Sequence, residues 1–506
     1  MKSTPGSDVG SVDRISALPD PLICHILSFL PLKESAATSV LSTRWKFLFA
    51  SLADIDLQFK STYRPNVRKS VLEFIDSQRL IKFLYLAWRI LQFRDGVPIT
   101  KLTLSVFWIY EMVDKKFRSL IDSWISAALL FNVQELKIFV SIRHYAINCP
   151  GIFACKTLVS LRLLVVSTEV PSLVVLPNLK VLHMSLKGQV VDSVRRLIQG
   201  CPLLEELDVA LDLQSVKDEE TNDAEADVVD FSGPSIKRLR IELWGGDCTV
   251  LVDSGVLEHL AYGAPRHDGE HQVIFNVPNL THLSYSAPAI GVNFIQNLNS
   301  LVEASIGAGL CKDQLNSRDA IVHLIRVKTV KSLSLGQDFL EALYDSQDFL
   351  PIFKNLTSLT LVGSCYPDET DHILSWKALA SLFGKAPSLE ALTFSKVCLG
   401  NVIENEELEC LFSEALPICF IKLLKEIEFK FLYKEEEECQ LKLIEYLLKN
   451  GKALKKMTVG HLLMPSVCRR ILLFKRGSED CEIILDEAKK YFGDICGDLQ
   501  ETSRKG

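Results

Sequence analysis

Between Ile99 and Phe394 large apolar residues recur as Leu-x-x-Leu-x-Leu or a close variant. The copies read ITKLTLSVF from Ile99, VQELKIF from Val133, KTLVSLRLL from Lys156, LPNLKVLHM from Leu176, CPLLEELDV from Cys201, SIKRLRIEL from Ser235, GVLEHLAY from Gly255, VPNLTHLSY from Val277, VKSLSL from Val330, FKNLTSLTL from Phe353 and APSLEALTF from Ala386. Most separations are about 21 to 35 residues, so each unit is one short strand and a return segment. Two return segments are helical by pattern: Val194, Leu197 and Ile198 form a stripe before Gly200 and Pro202, and Leu379 and Leu382 form one before Gly384 and Pro387. Each glycine is expected to take the left-handed cap conformation, and each proline blocks further helix before the next strand. Stacked units share one core of strand leucines and leave the intervening positions on an open sheet.

Ahead of the repeats the pattern changes to three short helices. Asp20 is expected as an N-cap with Pro21 at the first helical position and Pro31 as the stop, and Leu22, Ile23, Ile26, Leu27 and Leu30 share one face. Lys33 to Val40 gives a second helix whose Ala36 and Ala37 permit close approach, and Ser42 caps a third that carries Trp45, Phe47 and Leu48. Roughly forty-five residues cannot bury so many large side chains internally, so a partner or the rest of the chain must cover some of them.

This N-terminal stretch resembles the F-box, the motif by which substrate receptors attach to the Skp adaptor of cullin-based ubiquitin ligases. The resemblance rests on Asp13-Arg14-Ile15-Ser16, Leu18-Pro19-Asp20, Ile26-Leu27-Ser28-Phe29-Leu30-Pro31, Ala37-Thr38-Ser39-Val40-Leu41-Ser42 and Arg44-Trp45. Phe49 stands where a second tryptophan is frequent. The C-terminal part is similar to the FBD domain of plant F-box proteins, through Leu416-Pro417-Ile418-Cys419, Leu424-Lys425-Glu426-Ile427, Leu447-Leu448-Lys449-Asn450, Leu454-Lys455-Lys456-Met457-Thr458 and Phe474-Lys475-Arg476-Gly477-Ser478 with Cys481. There IKLLKEIEFKF and ALKKMTV alternate as strands around a helix from Gln440 to Leu448, which continues the repeats and covers their last apolar face.

The expected architecture is α/β: a disordered N-terminus (1–12), a three-helix F-box (13–59), a helical linker (60–97), a curved leucine-rich-repeat solenoid (98–415), an α/β FBD cap (416–490) and a C-terminal tail (491–506). Acidic Ser215 to Asp230 and Glu435 to Glu438 are expected as solvated loops.

Composition narrows the chemistry. The 506 residues are 48% hydrophobic and carry a net charge of −7, which gives no general attraction to phosphate backbones and argues against nucleic acid as a partner. The polar N-terminus supports no secretory signal, and Leu80 to Leu91, broken by Lys82 and Arg89, is too short to span a bilayer, so a nuclear or cytoplasmic location is expected. Cysteines such as Cys24, Cys201, Cys311 and Cys398 are scattered without a CxxC pair, as small apolar residues rather than disulfides or ligands. Without secretion, the Asn-x-Thr triplets at Asn279 and Asn355 have no glycosylation meaning.

No GxxxxGK[ST], GxGxxG or GxSxG pattern occurs. His267-Asp268-Gly269-Glu270-His271 formally fits H-x-x-E-H, but Pro265 and Gly269 oppose the helix that a zinc site needs, and a loop is expected. His183, His259 and His282 fall at strand positions. No catalytic, metal or cofactor residue is assigned, and no marked basic cluster at matching repeat positions supports a phosphate-bearing cofactor.

The resemblance therefore implies a non-enzymatic substrate receptor. Leu18, Pro19, Leu22, Ile26, Leu27, Leu30, Pro31, Leu41 and Trp45 are the candidate adaptor-binding residues, and their division between partner-facing and core-filling roles is left open. Through the Skp adaptor the chain would join cullin and RING subunits, while the repeats hold a protein target for ubiquitination. A Skp-binding or repeat scaffold outside any ligase, and a receptor that uses a small molecule, are the alternatives.

Overall fold

A computed structural model describes residues 15, 17–30, 32–61, 68–92, 94, 96–107, 115–141, 146–213, 227–264, 271–286, 294–296, 298–307, 317–343, 347–363, 376–395, 397, 422–430, 437–460 and 465–485. The terminal segments 1–12 and 491–506, Pro31, residues 215–226, His267 and the Leu416–Cys419 signature lie outside them. The chain divides into two compact units, Met1–Val209 and Ala210–Gly506.

The first unit opens with three helices, α1 (Asp20–Ser28), α2 (Leu32–Thr38) and α3 (Thr43–Ala50). A strand, Asp54–Lys60, follows directly and alternates between exposed and buried residues. It pairs in parallel with Lys101–Phe107, which pairs in parallel with Glu135–Ser141 and then Ser160–Thr168 and Val181–Lys187. No strand is expected at 54–60 from the sequence, because its residues lack the Leu-x-x-Leu-x-Leu signature. Alternating Ile55, Leu57 and Phe59 nonetheless bury one face against the helix Lys69–Gln92, where Phe83 packs on Phe59.

In the second unit parallel pairing runs from Arg238–Trp244 through His259–Gly263, His282–Ser286, Glu303–Gly307, Ser332–Gly336, Ser358–Val362 and Ala391–Ser395. It continues through Glu426–Phe429 and Lys456–Val459 to Glu482–Leu485, so the C-terminal segment extends the same ladder. Glu303–Gly307 has Ala304 where the repeat signature has leucine, which hides it from pattern reading.

The return segments differ from expectation in places. Asp227–Asp230, at the end of the acidic stretch, is a strand; it pairs with Cys248–Asp253, which pairs with His271–Asn276 and that with Phe294–Gln296. β-branched runs such as Thr249-Val250 and Val273-Ile274 favour this second parallel sheet over helices. His271 thus begins a strand, where histidines four residues apart cannot share a helix turn. Glu437 and Glu438 begin the helix Glu437–Asn450 rather than a loop, and the Glu438 carboxylate accepts two hydrogen bonds from Arg470 at 2.8 and 3.0 Å.

Neither Gly200 nor Gly384 is a left-handed cap, for both end their helices without positive φ. Gly200 serves close packing: a Cβ there would lie 2.5 Å from the Val174 carbonyl oxygen. The Asn-x-Thr triplets also acquire a structural meaning. Asn279 and Thr281 donate side-chain hydrogen bonds to the carbonyls of Gly255 and Glu258, and Asn355 and Thr357 to those of Thr329 and Lys331. Each pair ties its turn to the preceding repeat.

Candidate functional site

The N-terminal helices meet around Ile23, Leu27, Trp45, Leu48 and Phe49, all buried. Ser35, also buried, donates through Oγ to the Leu27 carbonyl at 2.8 Å and satisfies an end of α1 from within α2. Ser42 caps α3 as expected, its hydroxyl accepting from the Trp45 N–H at 3.4 Å. Pro19 rather than Asp20 is the N-cap of α1, with no side-chain cap bond. The Asp20 carboxylate turns instead to Arg44, whose Nε and Nη2 lie 2.8 and 2.6 Å from Oδ1, while Nη2 also donates to the Leu18 carbonyl. The spacing of Leu18-Pro19-Asp20 and Arg44-Trp45 is therefore one device: the arginine clamps the entry to α1 and its neighbour fills the core beneath. Burial, with Asp20 nearby, pushes the Cys24 thiol upward, which keeps it protonated.

What the three helices leave uncovered is the notable part. Leu22, Ile26, Phe29 and Leu30 are exposed on and after α1, Val40 and Leu41 after α2, and Phe47 on α3; Val40 is 85% and Phe29 74% exposed. Val40 and Leu41 lie in the turn after α2, where the helix stops at Thr38 and successive N–H groups of Ser39, Val40 and Leu41 bond back to Ala36, Ala37 and Thr38. Clusters of large exposed apolar residues are characteristic of interaction surfaces.

The candidate adaptor-binding residues separate accordingly. Pro19, Leu22, Ile26, Leu30 and Leu41 are exposed and Leu18 half-buried, whereas Leu27, 1% exposed, and Trp45, 8%, belong to the helices' own core. Pro31 is outside the described residues. Phe29 and Val40 join the exposed set; the break at Thr38 that frees Val40 had no sequence signal beyond the nearby Ser39 and Ser42.

A buried cation secures the helices to the sheet. Arg94, 1% exposed, donates to the carbonyls of Leu52 at 2.6 Å, Pro98 at 2.7 Å and Val97 at 3.1 Å, and burial lowers its pKa to about 10. It bridges the chain leaving α3 to the segment entering the strand Lys101–Phe107.

Of the histidines singled out, His183 Nε2 lies 2.7 Å from Glu206 Oε1, and His259 and His282 stack at 4.2 Å between ring centroids on neighbouring strands. Among the described residues no group of three His, Cys, Asp or Glu side chains could hold a metal, and no helix is long and apolar enough to cross a membrane.

Known proteins match this arrangement segment by segment. An F-box domain model matches residues 15–54, a model of the repeats of the FBD-associated F-box protein At5g56370 matches 121–359, and an FBD model matches 414–459. The F-box/LRR-repeat protein At4g14103 of Arabidopsis thaliana is 30% identical over 435 residues, 79% of this chain and 99% of the relative. This chain belongs to the plant F-box/FBD/LRR-repeat family. Its likeness extends over nearly the whole length of F-box/LRR-repeat protein At3g59250 of the same plant, 29% identical across 94% of this chain and 98% of the relative. The putative F-box/LRR-repeat protein At5g41840 is 32% identical across 78% of this chain and 71% of its own length. F-box/LRR proteins are generally non-catalytic adaptors, and the F-box match covers the helices that carry the exposed apolar face.

Proposed function

We propose that this F-box/LRR protein is the substrate-recognition subunit of a Skp–cullin–F-box ubiquitin ligase, acting in the nucleus or the cytoplasm. The observation that carries it is the apolar face of Leu22, Ile26, Phe29, Leu30, Val40 and Leu41, left open by helices whose core is already complete with Leu27 and Trp45. The Skp adaptor would cover that face and connect the chain to cullin and RING subunits. Leu18 and Pro19 would add to the contact, their stretch of chain fixed by Arg44 through the Leu18 carbonyl and the Asp20 carboxylate. The open sheet of the repeats would hold a protein target, and the FBD segment would close the ladder.

Such a receptor needs no reacting side chain. By holding the target near a charged conjugating enzyme it converts ubiquitin transfer into an effectively intramolecular step. The test is reconstitution of the full chain with adaptor, cullin and RING subunits. Co-purification of all four supports the proposal; assembly with the adaptor but never with cullin replaces it with a scaffold role, and a folded chain that binds no adaptor overturns it.

A further inference from the structure

The helix Lys69–Gln92 is apolar on two opposite faces. Leu72, Leu80, Leu84 and Leu91 are buried on the inner one, beside the buried Asp76, whose carboxylate lies 2.6 Å from Arg79. Val71, Phe74, Ile75, Ile81, Tyr85 and Trp88 are exposed on the outer one, Phe74 to 67% and Tyr85 to 64%. Along that face Val71, Phe74, Gln78, Ile81, Tyr85 and Trp88 follow one another at alternating separations of three and four residues. This is the spacing of a coiled-coil seam, whereas the outward side of a surface helix is ordinarily polar.

The seam is complementary to itself when a second copy runs antiparallel. About a two-fold axis level with the Arg79–Leu80 peptide, Val71 meets Trp88 of the second copy, Phe74 meets Tyr85 of the second copy, and Gln78 meets Ile81 of the second copy. The smallest apolar side chain thus faces the largest, and two aromatic pairs form. Gln78 and its own copy come about 4.5 Å apart along the axis, and a single polar residue in such a seam fixes the register. Lys82 falls beside Ile75 of the second copy, where its alkyl stem covers apolar surface while the ammonium stays in water. Antiparallel helices also oppose their dipoles. Weighted by exposure, the six outer apolar side chains present roughly 600 Å² per copy, so pairing covers about 1,200 Å² in total. That reaches the lower bound for a specific interface and suits association in the micromolar range.

We propose that the outer face of the helix Lys69–Gln92 is a self-association surface, through which two copies of this chain pair antiparallel about a two-fold axis. The pairing uses none of the residues assigned to the adaptor-docking face, so it stands apart from the ligase assignment. Its consequence rests on that reading: a paired receptor carries two adaptor sites and two target-holding sheets, and binds a target with two matching segments more tightly than one copy does.

The test is sedimentation velocity of the purified full chain, without adaptor, from about 1 to 100 μM, a range that brackets the affinity expected of an interface this small. Wild type should pass from monomer to dimer across that range. Phe74→Glu should weaken the dimer at least tenfold with unchanged circular dichroism, because the side chain it replaces is exposed. The double variant Phe74→Glu/Tyr85→Lys should associate at least threefold more tightly than Phe74→Glu, since the antiparallel register sets each glutamate against a lysine of the second copy. Within one helix the two positions are three turns apart, so that recovery cannot come from a contact inside one chain. Adaptor affinity of Phe74→Glu should equal that of wild type, which separates failure here from failure of the ligase assignment. A wild type monomeric throughout, a dimer that Phe74→Glu leaves intact, or a double variant no tighter than the single one would each overturn the proposal. So would loss of adaptor binding by a folded Phe74→Glu, which gives the face to the adaptor, or a monomer that floats with phosphatidylserine vesicles, which gives it to a lipid surface.

Discussion

Arg44 shows how a short motif earns its spacing. Its guanidinium reaches back 24 residues to Asp20 and to the Leu18 carbonyl, so both ends of the helical unit are held by one side chain. Because the ion pair is solvent-exposed, Arg44→Ala should cost only about 1 kcal/mol of stability. Equilibrium denaturation checks this, and adaptor affinity should fall with it as Leu18 and Pro19 lose their fixed position. His323 gives a pH dependence in the second unit. It is buried between Tyr285 and Phe339, with ring centroids at 5.3 and 6.0 Å, and burial lowers its pKa to about 4. The unfolded chain takes up the proton at its ordinary value near 6.5, the folded chain only near 4, so this histidine's contribution is full above about pH 6.5 and is lost as pH falls toward 4. His323→Phe should flatten that part of the stability profile, the difference from wild type reaching no more than about 3 kcal/mol. Parallel wild-type and variant profiles between pH 4 and 7 would contradict the assignment.

Among the elements, the repeat strands were legible because each places large apolar residues at alternate positions that must share one core, and every Leu-x-x-Leu-x-Leu copy read from the sequence coincides with an observed strand. Asp54–Lys60, Glu303–Gly307 and Glu482–Leu485 were not legible: short alternations without leucine spacing become strands only because a neighbouring ladder offers them partners. Gly200 and Gly384 are legible in the sequence as helix ends, but neither takes the left-handed conformation that a capping glycine would, and only Gly200 is closely packed. That difference is measurable. Gly200→Ala drives a methyl into Val174 and should cost about 1–3 kcal/mol, whereas Gly384→Ala meets nothing within 4 Å and should be neutral or stabilising by up to about 1 kcal/mol. Denaturant midpoints of the two variants decide it; equal effects would mean that both positions act through backbone freedom alone. In the docking face, periodicity identified which residues are apolar but could not say which side of α1 the other helices would cover. Leu27 and Ile26 are adjacent and equally apolar, and only the packing of Trp45 and Ser35 distinguishes them.

For the whole molecule, a complete helical core carries an uncovered apolar face at one end of the chain, followed by parallel ladders whose open faces display polar and aromatic residues. The most direct test of the ligase-receptor account is the affinity of the purified full chain for a Skp adaptor, measured by titration calorimetry for wild type and for Leu22→Ala/Ile26→Ala/Leu41→Ala. These side chains are exposed, so the variant should keep its circular dichroism and melting temperature while its affinity falls at least thirtyfold, about 2 kcal/mol. A folded wild type that does not bind, or a folded variant that binds as tightly as wild type, would contradict the account.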